Sequence, residues 1–120
     1  IYQTGMDYYH GYGVTQNYEK AVYWWEKASN NNICAKYNLG VFYFNGYGVK
    51  KNKNLAFKYY EIASKMEVPS ALYNLANMYY TGEGTSADII NAMIYYEKAA
   101  QKGHKKAEAI CQQLKAILMN

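Results

Sequence analysis

The residue types in this chain that could carry chemistry are a Gly-x-Gly triplet present three times, two histidines, two cysteines and a scatter of carboxylates. A glycine-rich turn can cradle phosphate with backbone N–H groups, but that reading needs a strand before the turn and a Gly-Lys-Ser/Thr run in it. Gly11-Tyr12-Gly13, Gly46-Tyr47-Gly48 and Gly82-Glu83-Gly84 have neither. His10 and His104 are far apart, one just before a loop glycine and one just after Gly103, where a solvated imidazole is expected. Cys34 and Cys111 are 77 residues apart and show no Cys-x-x-Cys or Cys/His spacing, so neither zinc nor a disulfide framework is expected. A cysteine nucleophile needs a positioned base, and none is evident beside either thiol. Asp7 and Glu19 have no partner carboxylate recurring at catalytic spacing. The chain is therefore expected to have no catalytic residue, no cofactor and no metal, and not to be an enzyme.

What these residues do share is a period. Gly11, Gly46 and Gly82 are spaced by 35 and 36, and Gly13, Gly48 and Gly84 follow each by two. Ala21, Ala56 and Ala92, then Trp24-Trp25, Tyr59-Tyr60 and Tyr95-Tyr96, then Ala28, Ala63 and Ala99 keep the same offsets. Upstream, Ala35, Ala71 and Ala107 are 36 apart, Gly5, Gly40 and Ala76 share a position, and so do Tyr8, Tyr43 and Tyr79. Self-similarity at this period marks a stacked-repeat architecture. Within a unit, Ala35, Leu39, Phe42 and Tyr43 fall on one helical face, as do Leu55, Ala56, Tyr59, Tyr60, Ile62 and Ala63 in the second helix. Small residues at fixed places let helices approach closely, and aromatics fill the wider gaps.

The spacing predicts helices near 1–10, 17–29, 34–45, 52–65, 69–81, 87–101 and 105–119. The first loop glycine sits where a helix end needs positive φ, and the second permits a tight reversal. Val14, Val49 and Thr85 are expected to point back into the layer. Asn17, Asn52 and Asp88 stand where second helices start and are candidate N-caps, and Pro69 suits a helix's first position. The seventh helix keeps Ala107 but departs elsewhere, with Cys111 for the leucine and Lys115 for the tyrosine, as a terminal capping helix should. The start at Ile1 reads as mid-helix, so the chain is expected to be a C-terminal fragment of a longer protein with an uncapped amino end open to self-association.

This pattern, Ala35, Leu39, Gly40, Tyr43, Gly46, Gly48, Val49, Asn52, Ala56, Tyr60 and Ala63 in the second unit and Ala71, Leu75, Ala76, Tyr79, Gly82, Gly84, Asp88, Ala92, Tyr96, Ala99 and Ala100 in the third, resembles the Sel-one-like repeat (SLR) family, a relative of the tetratricopeptide repeats. Leu55 and Asn91 replace the usual lysine, and Thr85 the valine. The resemblance implies an all-α fold: a right-handed α-α superhelical solenoid of about three and a half helix-loop-helix repeats, one domain over 1–120 with units at 1–33, 34–69 and 70–105 and a C-terminal capping helix at 105–119. It also implies an adaptor or scaffold that binds protein. Members are common in bacteria, some of them exported, and others serve endoplasmic-reticulum quality control, so the compartment stays open.

The family's geometry directs first-helix positions not needed for packing into a concave groove. These are Tyr2, Met6, Tyr9 and His10 in the first unit, Tyr37, Val41, Phe44 and Asn45 in the second, and Tyr73, Asn77, Tyr80 and Thr81 in the third. Aromatic anchors with a few polar groups suit a partner's peptide or helix; a carbohydrate or cell-wall fragment, stacked on tyrosine, is the alternative. Tyr37 and Tyr73 could also serve mainly packing. Residues that vary between units, Met6, Val41 and Asn77, are the better specificity candidates.

Composition narrows the partner class. The 120 residues are 51% apolar, with sixteen tyrosines, and no apolar run approaches a membrane span. The net charge of +4 is too mild for a nucleic-acid binder of this size. Lys50, Lys51 and Lys53, then Lys102, Lys105 and Lys106, read first as solvated loop charge and second as contacts for an anionic partner.

Overall fold

The computed structural model describes residues 1–119. The described residues form seven helices and no strand: α1 (Tyr2–His10), α2 (Tyr18–Ala28), α3 (Ile33–Asn45), α4 (Lys53–Lys65), α5 (Pro69–Thr81), α6 (Ile89–Gln101) and α7 (Lys105–Leu118). Each helix packs on its neighbours in sequence, drawing the chain into a rod of 54 × 26 × 23 Å. This is the all-α solenoid that the repeat implies, with helix ends within two residues of the sequence expectation.

Local chemistry sets those ends. Asn17, Asn52 and Asp88 hold extended backbone, and their side-chain oxygens accept from the N–H groups of Lys20, Leu55 and Asn91 at 3.0, 3.0 and 3.1 Å. Asn32 caps α3 in the same way, accepting from Ala35 N–H at 3.0 Å. Gly11, Gly46 and Gly82 close α1, α3 and α5 at φ of 79°, 76° and 77°, where a side chain would strain the backbone. The second loop glycine has a use beyond the reversal. A Cβ on Gly48 would stand 2.6 Å from the Tyr18 carbonyl carbon, and one on Gly84 would stand 2.5 Å from the Lys53 carbonyl oxygen. Each loop thus rests directly on the first turn of the preceding unit's second helix, and these contacts join the units.

The two joints carry different side chains at equivalent places. Tyr18 meets Tyr47 with ring centroids 6.0 Å apart, whereas Lys53 ion-pairs with Glu83. Between helices, small residues and rings interlock. A Cβ on Gly5 would meet the Trp25 indole at 2.5 Å, and one on Gly40 the Tyr60 ring at 2.8 Å. Ala21, Ala35, Ala56, Ala63, Ala71, Ala92, Ala99 and Ala107 are fully buried. Tyr43 stacks on Tyr59 and Tyr79 on Tyr95, with interplanar angles of 16° and 6°. Leu39 and Leu75 are fully buried, and each contributes about 1.5–3 kcal/mol.

Two expected core positions lie outside. Ile62 is 40% exposed, at the place that Lys27 and Lys98 fill in the other units, so it belongs to the solvent face of α4. Val49 packs against the cluster that holds Val22, Trp25 and Phe42, whereas Val14 is 40% exposed. Along α7, Ile110, Cys111 and Leu114 lie against Ala76, Ala92 and Tyr96, while Ile117 is exposed.

Candidate functional site

The first helices of the second and third units diverge enough to leave a cavity of about 310 Å³ between α3 and α5. Its walls are Tyr37, Val41, Phe44 and Asn45 from α3, Asn74, Asn77 and Met78 from α5, and Glu83 from the loop that follows. Its floor is Tyr60, reaching through from α4. A second cavity of about 400 Å³ shares Tyr37 and Asn74 and adds Ser70, Tyr73, His104, Lys105 and Lys106. The two form one groove crossing α3, α5 and the start of α7.

The carboxamides and phenols of the first cavity are mostly held by hydrogen bonds. Tyr96 donates its hydroxyl to Asn77 Oδ1, Asn74 Nδ2 donates to the Tyr37 hydroxyl at 3.3 Å, and Asn45 Nδ2 donates to the Val41 carbonyl at 2.8 Å. Asn77 Nδ2, Asn74 Oδ1 and Asn45 Oδ1 have no partner among the described residues, so the walls offer one amide donor and two amide acceptors. Burial, with Tyr37 close by, pushes the Tyr60 hydroxyl well above the usual tyrosine range. Burial likewise pushes Tyr96 up to about 12, with Tyr73 and Tyr80 adding to it. Both phenols stay protonated at neutral pH. At one edge Lys53 pairs with Glu83 and stands 5.2 Å from the centre of the Phe44 ring, and the hydrogen bond from Lys53 holds the Glu83 carboxyl below its ordinary range. The groove presents aromatic and aliphatic walls with carboxamides between them.

Five of the twelve sequence-predicted positions, Tyr37, Val41, Phe44, Asn45 and Asn77, meet in the first cavity, and Tyr73 lines the second. The other six line neither. Tyr2, Met6 and Tyr9 pack against the core around Trp25 and Phe42, with Met6 also accepting from Asn38 Nδ2 at 3.6 Å. His10 is exposed at the loop edge, stacked on Tyr12 with centroids 4.7 Å apart. Tyr80 and Thr81 are exposed, and Thr81 donates to the Asn77 carbonyl at 3.0 Å.

The groove positions read from sequence did not include Tyr60, Asn74, Met78, Glu83, Ser70 or His104, whereas Lys105 and Lys106 entered only as the second reading of a lysine cluster. Asn74 carried a signal, since Asn38 holds the equivalent place one unit earlier. His104 is a correction. It is half-buried rather than simply solvated, its Nδ1 accepts from Ala107 N–H at 3.2 Å, and its ring stacks on Tyr73 at 4.4 Å. Cys34 and Cys111 are unpaired, and burial raises the Cys111 thiol above its ordinary pKa, which leaves it protonated and a poor nucleophile. Among the described residues no cluster of three His, Cys, Asp or Glu gathers, and no helix is long and apolar enough to cross a membrane.

Comparison with known proteins bears on the repeat and its fold. The Sel1 repeat profile matches residues 1–33, 35–68 and 69–104. Among solved structures, a protective antigen of uropathogenic Escherichia coli displaying an SLR fold is 34% identical, with a TM-score of 0.86 over 88% of this chain and 23% of its own. A Sel1 repeat protein from Oxalobacter formigenes is 32% identical, with a TM-score of 0.87 over 92% of this chain and 46% of its own. Cysteine rich protein B of Helicobacter pylori is 31% identical, with a TM-score of 0.74 over 80% of this chain and 74% of its own. The chain therefore spans about a quarter and about half the length of the first two. No curated protein matches the sequence.

Proposed function

Because this chain belongs to the Sel1 repeat family, whose members are generally protein-interaction modules and typically non-catalytic, we propose that it binds a peptide segment of a partner protein in the groove between α3 and α5. The observation that carries this reading is the set of unpartnered amide groups on Asn45, Asn74 and Asn77 above an aromatic floor. A peptide backbone offers one donor and one acceptor per residue and projects side chains alternately. Carboxamides can therefore pair with the backbone while one side chain enters the cavity.

A carbohydrate is the second reading, and the same three asparagines around Tyr37 and Tyr60 favour it. Against it, the Tyr60 ring is only 3% exposed, so a sugar would have to stack on the half-buried Tyr37 ring instead.

The test is selection of a displayed random-peptide library on the wild-type chain, followed by titration of the enriched peptides on Val41→Trp, which fills the cavity. Tyr80→Ala, at an exposed position that lines neither cavity, is the control. Enriched peptides should lose at least tenfold in affinity on Val41→Trp and keep it on Tyr80→Ala, with circular dichroism unchanged in both. Equal binding to wild type and Val41→Trp would show that the groove is not the site. Saturable binding of chitin or peptidoglycan fragments, abolished by Val41→Trp, would favour the carbohydrate.

A further inference from the structure

We propose that this groove selects an extended peptide bearing a carboxylate two or three residues from a large apolar side chain, the apolar group seated over Tyr60 and the carboxylate held by Lys105 and Lys106. This rests on the peptide reading and adds what the peptide must contain.

The cavity over Tyr60 ends at Glu83, a carboxylate already matched by Lys53. The second cavity has two lysines on its rim and no carboxylate in its lining. Among the described residues Lys106 makes no ion pair, and Lys105 has only Glu108 on its own helix, at a loose 3.9 Å, with its side chain 90% exposed. Lys102, the third lysine of that cluster, is pinned elsewhere by Glu67 at 2.9 Å, so the positive corner is Lys105 and Lys106 alone. Ser70 adds a hydroxyl to the same lining. A ligand acid therefore finds loosely held ammonium groups at the α7 end, whereas the lysine at the Glu83 end is already paired.

Tyr37 and Asn74 belong to both cavities, so one strand can occupy the two without leaving the surface. Ser70 and Asn77 mark the two cavities along α5, and seven residues of helix rise by about 10 Å. An extended chain covers that distance in about three residues. The Asn74 acceptor lies between the two seats, where it can take a backbone N–H.

The probe is an oriented peptide library with phenylalanine fixed at the centre and the flanking four positions on each side drawn from Gly, Ser, Ala, Gln, Lys and Glu. It is selected on the wild-type chain and on Lys105→Ala/Lys106→Ala, both exposed positions whose loss leaves the core intact. Glutamate should be enriched two or three positions from the phenylalanine on wild type only. For the best fluorescein-labelled peptide, Glu→Gln should weaken binding about threefold to tenfold, as expected for two partly exposed ion pairs. The double lysine variant should bind the Glu and Gln forms equally, at the wild-type affinity for Gln. Selection for phenylalanine-centred peptides with no preference for glutamate, or a preference that survives the lysine substitutions, overturns this inference and leaves the groove reading standing. No enrichment over an unselected pool removes both.

Discussion

Replacing Gly40 by alanine tests the idea that the small residues of the first helices are fitted to rings from the second. In an open helix the change should stabilise by about 1 kcal/mol, because glycine gives up more backbone freedom than alanine. Here the new methyl would lie 2.8 and 2.9 Å from Cε1 and Cδ1 of Tyr60, a ring 3% exposed and enclosed by Ala56, Ala63, Ala71 and Leu75. Overpacking of that kind costs about 1–3 kcal/mol. The balance is a net loss of about 0–2 kcal/mol, and the displaced ring narrows the cavity it floors. Urea unfolding followed by helical circular dichroism at unchanged m-value measures the loss. A double-mutant cycle with Tyr60→Leu isolates its cause: in the leucine background Gly40→Ala should be stabilising, giving a coupling of about 1 kcal/mol or more. If Gly40→Ala stabilises the wild-type chain by the full propensity gain, with no coupling to position 60, the steric reading of the repeat is wrong.

Three further outcomes follow from the same structure. Asn52→Ala removes the oxygen that caps Leu55 N–H and should cost about 1 kcal/mol in the urea midpoint; Asn52→Asp should restore most of it. Ala56→Leu, at a fully buried position, should destabilise by about 1–3 kcal/mol and lower the thermal midpoint, and a neutral result would mean that the layer is looser than described. The Tyr43 and Tyr96 hydroxyls are raised from 10.0 to about 12, mainly by burial, with Glu26 adding at Tyr43 and Tyr73 at Tyr96. The folded state keeps these groups neutral where the unfolded state ionises them. Their contribution is therefore complete below about pH 10 and lost as pH rises to about 12, read as a falling urea midpoint with tyrosinate absorbance appearing on unfolding. A midpoint constant across that window would exclude it.

The fold was legible because every unit repeats the same instructions. Loop glycines, buried alanines and cap residues recur at one offset, so an error at any single position is outvoted by its counterparts. The groove was legible only in part. Sorting positions into packing and binding sets placed Tyr60 with packing, yet Tyr60 is long enough to cross between two first helices and floor the cavity. Trp25 takes the equivalent place between α1 and α3 with Tyr9 and Phe42 against it, at centroid distances of 6.0 and 5.0 Å. A larger ring there engages Tyr2, Met6 and Tyr9 in packing, a difference set by side-chain volume that a shared repeat position conceals. His104 was within reach of the period, since it falls 36 residues after Val68, itself 36 after Asn32, at the place where first helices begin. Reading it by its neighbours in sequence, rather than by its counterparts, hid its role.

The unlike joints between units bear on how the rod comes apart. Rings in contact, as at Tyr18 and Tyr47, are indifferent to ionic strength, whereas a partly exposed ammonium–carboxylate contact, as at Lys53 and Glu83, weakens as salt rises. Guanidinium chloride, being itself a salt, strikes the second joint harder than urea does. The sequence of fraying is therefore a property of the medium as well as of the chain, and two denaturants can unzip one molecule from different ends.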